Sequence, residues 1–303
     1  MAKKYLIAIV SVALFIGMLP VPLATGFSKT PMIMASHRNS LSNEVGRDPR
    51  KLQLRSAAVL VEDQQTGELL FQKHATAVAP IASITKLMTA MVVIDANADL
   101  QESITIENDD IDHLRHSHSR LHVGIHLKRK DALLLALMSS DNRSAHALGR
   151  TYPGGFDACV NAMNAKAQSM GLLETRFEDT TGLSKGNVSS ARDLARLVDA
   201  AHKYRLIREL STCKTATVRT GRRTLKFRNT NHLIHNPRWQ IGLSKTGFID
   251  EAGRCLVMQA QVDRRPVLIV LLDSQGRLTR VGDANRIKQW LEGSSPSPRT
   301  RRG

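Results

Sequence analysis

Apolar residues gather along the chain in blocks whose spacing indicates the element each will form. Ala57-Ala58-Val59-Leu60-Val61 and Leu69-Leu70-Phe71 are short apolar runs on either side of a polar stretch containing Thr66-Gly67, which predicts a β-hairpin. From Ser83 to Ala96, Leu87, Met88, Met91, Val92, Val93 and Ile94 fall on nearly every side of a helix. A helix without a polar face is a buried one. A Leu-rich helix is expected from Lys130 to Met138, and others from Arg143 to Arg150 and from Phe156 to Met170. Ser189 and Ser190 introduce a helix from Ala191 to Tyr204 with Asp193 in its first turn, where backbone N–H groups lack partners. Strand patterns return after residue 215, in Ile241 to Ser244, Cys255 to Val262 and Pro266 to Leu272, the last two joined by Asp263-Arg264-Arg265. A helix from Asp283 to Leu291 ends the patterned region.

Strands at both ends with helices between them predict an α+β fold: one antiparallel sheet, flanked by helices, with a helical lobe inserted into it. No repeat and no break in composition interrupts residues 55–292, which read as one domain of enzyme size. The flanks differ. Lys3 and Lys4 precede an apolar run of 15 residues from Tyr5 to Leu19, followed by Pro20 and Pro22. That run is short for a membrane span and has the form of an export signal, with Ala24-Thr25-Gly26 as small residues for cleavage near Gly26. An uncleaved anchor is the other reading, and either one places the remainder outside the cytoplasm. Residues 27–54 form a basic linker with few apolar positions, and residues 293–303 a basic Pro/Ser tail.

Composition adds two constraints. The 303-residue chain carries a formal charge of +16, and removal of residues 1–26 takes away Lys3 and Lys4 and leaves +14, an excess that favours contact with anionic wall or membrane surfaces. Nucleic acid is a poorer partner: only 4% of residues are aromatic and no basic helix is present. Three cysteines, Cys159, Cys213 and Cys255, are too few for a disulfide scaffold and leave at least one thiol unpaired unless chains are linked, so no specific disulfide is predicted.

The candidate chemistry begins at Ser83-Ile84-Thr85-Lys86, which places a hydroxyl and an amine on one helical face at i, i+3. A serine hydroxyl becomes nucleophilic when a neighbouring base takes its proton, and a lysine whose pKa is lowered by burial can be that base. Alone the pattern means little, since Ser211-Thr212-Cys213-Lys214 repeats it in a polar stretch and a serine at a helix start is ordinarily a cap. Ser140-Asp141-Asn142 and Lys245-Thr246-Gly247 change the balance. They follow Ser83 in order, with 57 residues from Ser83 to Ser140 and 105 from Ser140 to Lys245.

With these three motifs the chain resembles the low-molecular-mass penicillin-binding proteins, which are D-alanyl-D-alanine peptidases, and within them the penicillin-binding protein 7 type endopeptidases. The likeness is carried by Pro80 to Met91, Leu133 to Asn142, Tyr152-Pro153-Gly154-Gly155, Thr181-Gly182-Leu183, Ser190 to Leu194, Phe227 to Asn231 and Lys245 to Phe248. It implies a β-lactamase/transpeptidase-like fold and an acyl-enzyme on Ser83 with Lys86 as general base. Ser140 would pass the proton to the leaving amine, and Asn142 would hold substrate and Lys86. Lys245 and Thr246 would bind a substrate carboxylate, with Lys245 also helping to keep Lys86 neutral. The backbone N–H groups of Ser83 and Phe248 would form the oxyanion hole, and Gly247 would leave the strand edge open to substrate. The resemblance implies peptidoglycan stems as substrate, β-lactams as covalent inhibitors, a periplasmic location, and no metal or organic cofactor. No E-x-x-L-N pattern lies between Ser140 and Lys245, so fast penicillin hydrolysis is not expected. The chain ends 58 residues after Lys245, which suits the endopeptidases; a carboxypeptidase trimming terminal D-Ala is the alternative.

One rival concerns metal. His113, His116, His118, His122 and His126 lie near Asp109, Asp110 and Asp112, and His118 and His122 have the i, i+4 spacing of a zinc pair. Ser119, Arg120 and Gly124 interrupt the segment and make it a loop at the cleft edge, where solvated histidines are the plainer reading.

Overall fold

The computed structural model describes Asp48, residues 52–220 and residues 223–293. The export segment, nearly all of the linker and the tail beyond 293 lie outside the described residues.

The chain enters through β1 (Ser56–Asp63) and turns at Gly67 into β2 (Leu69–Lys73), the predicted hairpin, with Val61 opposite Phe71. After β3 (Ala79–Pro80), a 3-10 turn at Ala82–Thr85 leads into α1 (Lys86–Asp95). Every residue of α1 from Lys86 to Val93 is buried, as its apolar pattern requires. The lobe continues with β4 (Ser103–Thr105), β5 (His126–Lys128), α2 (Arg129–Met138), α3 (Asn142–Arg150) and α4 (Gly155–Ser169). Next come β6 (Val188–Ser189), α5 (Ala191–His202) and α6 (Arg205–Thr212). Ser190 caps α5 by accepting a hydrogen bond from the Asp193 N–H at 3.1 Å, the role its sequence predicted. A hairpin of β7 (Thr215–Thr220) and β8 (Arg223–Arg228) precedes β9 (Gln240–Ile249), β10 (Gly253–Val262), β11 (Arg265–Ser274) and α7 (Thr279–Glu292).

The five long strands form one antiparallel sheet in the order β2-β1-β11-β10-β9, so the lobe from β3 to β8 is inserted between its first two and last three strands. Side chains alternate between the two faces with the strand period of two. Val59, Val61, Leu256, Met258, Ile269 and Leu271 pack against Ala284, Ile287 and Leu291 of α7 on one face. Leu60, Val257, Leu268 and Val270 join the larger core of the inserted helices on the other. Each such side chain, fully buried, contributes about 1.5–3 kcal/mol. The buried Asp283 carboxylate of α7 accepts from the Ser56 N–H at 2.7 Å and Oγ at 2.6 Å, which ties β1 to this helix. Leu52, three residues before the expected boundary at 55, is buried in the α7 core.

Asp263 and Arg264 both have positive φ between paired Val262 and Arg265, the two-residue turn whose twist suits antiparallel strands. One element was not anticipated, and one expectation needs correction. The stretch after Tyr204 is helical: Ile207 and Leu210 form a buried stripe on α6, which the charged residues around them obscured in the sequence. The buried helix starts at Lys86, and Ser83 lies in the 3-10 turn before it.

Candidate active site

Ser83 is therefore not a helix cap. The turn that carries it is held by the Ile81 N–H, which donates to the Asn187 carbonyl at 3.0 Å, and by Thr85 Oγ1, which donates to the Ala82 carbonyl at 2.8 Å. Lys86, at the first position of α1 and 1% exposed, extends its amine to three oxygens: Ser83 Oγ at 2.9 Å, Asn142 Oδ1 at 2.7 Å and the Thr181 carbonyl at 2.6 Å. The latter two can only accept, whereas a hydroxyl can also donate. An ammonium donates to all three oxygens; once neutral, the amine keeps two N–H donors for Asn142 and Thr181 and turns its lone pair to the Ser83 hydroxyl, as a general base must. Burial lowers the Lys86 pKa to about 7, while the carboxylates of Asp179, Asp141 and Asp112 pull it upward.

The second wall is the corner between α2 and α3. Ser140 takes a left-handed conformation, φ +59°, and its Oγ accepts from Lys245 Nζ at 2.8 Å. Asp141 caps α3 by accepting from the Ser144 N–H at 2.8 Å and also receives Ser119 Oγ at 2.6 Å, so its part in the motif is structural. Asn142, the first residue of α3, accepts from Lys86 and donates through Nδ2 to Ser117 Oγ at 2.7 Å.

The third wall is β9, an edge strand. Lys245 is 1% exposed and donates to Ser140 Oγ and to the Thr246 carbonyl at 2.9 Å. Its pKa lies well below the ordinary lysine value, first through burial and then through the charges of Lys86 and Arg280. For Lys86 itself burial is the cause that lowers the pKa, and the help expected from Lys245 does not figure among its causes. Thr246 Oγ1 meets Thr230 Oγ1 at 2.6 Å. A Cβ at Gly247 would lie 2.9 Å from the Ile81 carbonyl and 3.2 Å from the Ser83 nitrogen. The glycine thus lets the serine turn approach β9, a role that the resemblance did not name. Phe248 is 50% exposed, with the Arg254 guanidinium 4.3 Å from its ring centre.

Ser83, Lys86, Asn142, Ser140, Lys245 and Thr246 are thus brought together by a chain of contacts in which Lys86 joins Ser83 to Asn142 and Lys245 joins β9 to Ser140. Several contributors carried no motif. Asp179 accepts from the N–H groups of Thr181, Gly182 and Ser184 and so shapes the turn that presents the Thr181 carbonyl to Lys86. Ser117 and Arg280, which donates to the Gly247 and Cys255 carbonyls, were likewise not singled out, and Thr230 figured only within the Phe227 to Asn231 stretch, without a role. The second S-x-x-K forms no amine–hydroxyl pair at the site: Ser211 is wholly buried, its Oγ donating to the Arg208 carbonyl of α6 and accepting from the Ser244 N–H of β9. Within the histidine segment, Asp112 is taken up by the N–H groups of Leu114, Arg115 and Ser117. Among the described residues no group of three or more His, Cys, Asp or Glu side chains is arranged to hold a metal ion.

The sequence profile of the family described as D-alanyl-D-alanine carboxypeptidase matches residues 44–276. A D-alanyl-D-alanine endopeptidase of Pseudomonas aeruginosa is 50% identical over 246 residues, covering 80% of this chain and 79% of the relative. One from Escherichia coli is 44% identical over 248 residues, covering 81% and 80%. The crystal structure of a Streptomyces DD-transpeptidase superposes with a TM-score of 0.73 at 27% identity, covering 81% of this chain and 98% of the other. The chain belongs to the D-alanyl-D-alanine carboxypeptidase family of serine peptidases.

Proposed function

We propose that the protein is an exported, penicillin-sensitive D-alanyl-D-alanine endopeptidase that opens peptidoglycan cross-links through an acyl-enzyme on Ser83. The observation that carries this reading is the buried Lys86 amine 2.9 Å from Ser83 Oγ, where burial lowers its pKa to about 7 and so makes a neutral base available beside the serine. Similarity to the two endopeptidases, over four fifths of the chain, supports cross-links as substrate. The basic and apolar leader supports export to the periplasm. No described helix is long and apolar enough to cross a membrane.

In this reading the substrate lies along the β9 edge as an added strand, its carboxylate on Lys245 and Thr246. Ser83 Oγ attacks the D-Ala carbonyl while its proton moves to Lys86 Nζ. The oxyanion is met by the N–H groups of Ser83 and Phe248. When the C–N bond breaks, the proton passes by way of Ser140 to the departing side-chain amine of the neighbouring stem. Water then hydrolyses the ester and Ser83 recovers its proton. A β-lactam enters the same first step, and its ester persists because no E-x-x-L-N glutamate is placed for fast deacylation.

Carboxypeptidase action on terminal D-Ala, the activity in the family's description, is the second reading. Product analysis with purified cross-linked muropeptide dimer and monomeric pentapeptide separates the two. The proposal expects dimer to be converted to monomers. Loss of D-Ala from the pentapeptide with the dimer left intact would assign the enzyme to the second reading.

A further inference from the structure

No Asp or Glu lies between Glu209 and Asp250, and the first half of that span holds Lys214, Arg219, Arg222, Arg223, Lys226 and Arg228. The hairpin of β7 and β8 sorts these charges by face. Val218 and Phe227 are buried in the lobe core, with Ala216 and Leu225 half-buried beside them. The outer positions Thr215, Thr217, Arg219, Thr224, Lys226 and Arg228 are exposed. Register pairs Thr215 with Arg228, Thr217 with Lys226 and Arg219 with Thr224, so every described outer row sets a hydroxyl beside a cation. Among the described residues, none of these cations forms an ion pair, although pairs are common elsewhere on the surface.

The location gives this face a use. Asn229 closes the hairpin by donating to the Lys214 carbonyl at 2.9 Å, and the next residue, Thr230, meets Thr246 Oγ1 and donates to the Met138 carbonyl beside the Ser140 corner. Arg120 adds a further cation, with its guanidinium 4.1 Å from the Phe227 ring centre and a hydrogen bond to the Lys226 carbonyl at 2.6 Å. Two residues of chain span at most about 7 Å and four about 14 Å, so Arg228 and Lys226 stand within two to four extended residues of Thr230. With the substrate carboxylate on Lys245 and Thr246, this is the leaving-group end of the cleft. A pentapeptide sends only free D-Ala in that direction. A cross-link sends a whole second stem, and stem peptides are rich in free carboxylates.

We propose that the outer face of the β7–β8 hairpin binds the carboxylates of the acceptor stem and thereby favours cross-linked over terminal substrate. The inference rests on the endopeptidase reading and adds the surface that selects for it. Exposed cations beside hydroxyls suit carboxylates that stay partly hydrated, and their attraction weakens with salt.

The test compares wild type with the triple variant Arg219→Gln, Lys226→Gln, Arg228→Gln on cross-linked dimer and monomeric pentapeptide at about 0.05 M and about 0.3 M salt. The expected result is a fall of about 5- to 10-fold in the dimer-to-pentapeptide ratio of kcat/KM at low salt, with high salt bringing wild type toward the variant. Dimer affinity for Ser83→Ala, measured with and without the three substitutions, reports the surface without turnover and should weaken by a similar factor. Equal losses on both substrates, no loss on either, or unchanged dimer affinity in the Ser83→Ala background overturns the proposal. So does a variant defect confined to anionic phospholipid vesicles, which would assign the ridge to a membrane. Wild type that cleaves only pentapeptide sinks the endopeptidase reading, and the affinity measurement then still decides whether the hairpin holds an acidic stem.

Discussion

A lysine amine is charged at neutral pH unless its surroundings disfavour the charge, and at Lys86 burial lowers the pKa to about 7. The base must be neutral to take the Ser83 proton, so the acylation rate should rise with pH through about 7 and be lost below it. Stopped-flow acylation by a chromogenic β-lactam across pH measures that limb; an acidic limb in the carboxylate range would contradict Lys86 as base. Asn142→Asp places an anion 2.7 Å from the amine, favours its ammonium form, and should move the acidic limb upward by about one unit or more. At this scale Ser83, Lys86, Ser140, Asn142 and Lys245 were legible because their chemistry resides in side chains at characteristic spacings. The Thr181 carbonyl was not legible, since every residue has one and only the turn built by Asp179 aims it at Lys86.

Elements meet at the site through close approaches that glycine permits. Gly182 has φ +82°, and a Cβ there would fall 1.9 Å from the Ala82 carbonyl. Gly182→Ala should therefore destabilise the protein by about 2–4 kcal/mol, read as a lowered urea midpoint, through strain and displacement of the turn. Gly247→Ala meets its neighbours less severely, at 2.9–3.2 Å, and has an ordinary φ. Its effect should be mainly on acylation, a loss of about 10-fold or more with little change in the midpoint, because the Ser83 N–H is shifted from β9. Acylation at the wild-type rate in Gly247→Ala would show that the approach of turn to strand is unimportant. Periodicity revealed α1, α2, α5 and the long strands, whose apolar patterns leave one arrangement. It did not reveal α6, where Arg205, Arg208 and Glu209 interrupt the apolar positions, nor that the Ser83 turn is 3-10, a distinction imposed by the packing of β9 and Gly182 around it.

For the whole molecule, strands at both ends of the chain foretold a sheet closed by its termini, and the order β2-β1-β11-β10-β9 has that form. The pairing order itself depended on contacts far apart in sequence and was not legible. All three cysteines are free thiols. Burial raises Cys159 to about 12 and Cys255 to about 11, whereas Cys213 is only half-buried. A thiol reagent should modify one cysteine in the native protein and three after denaturation; rapid native labelling of Cys159 or Cys255 would contradict the packing. The account stands on acylation of one hydroxyl, for which the direct measurement is peptide-resolved mass spectrometry after exposure to benzylpenicillin. A single adduct on the peptide containing Ser83, absent from Ser83→Ala, is predicted. An adduct on another residue, or one that survives in Ser83→Ala, would contradict it.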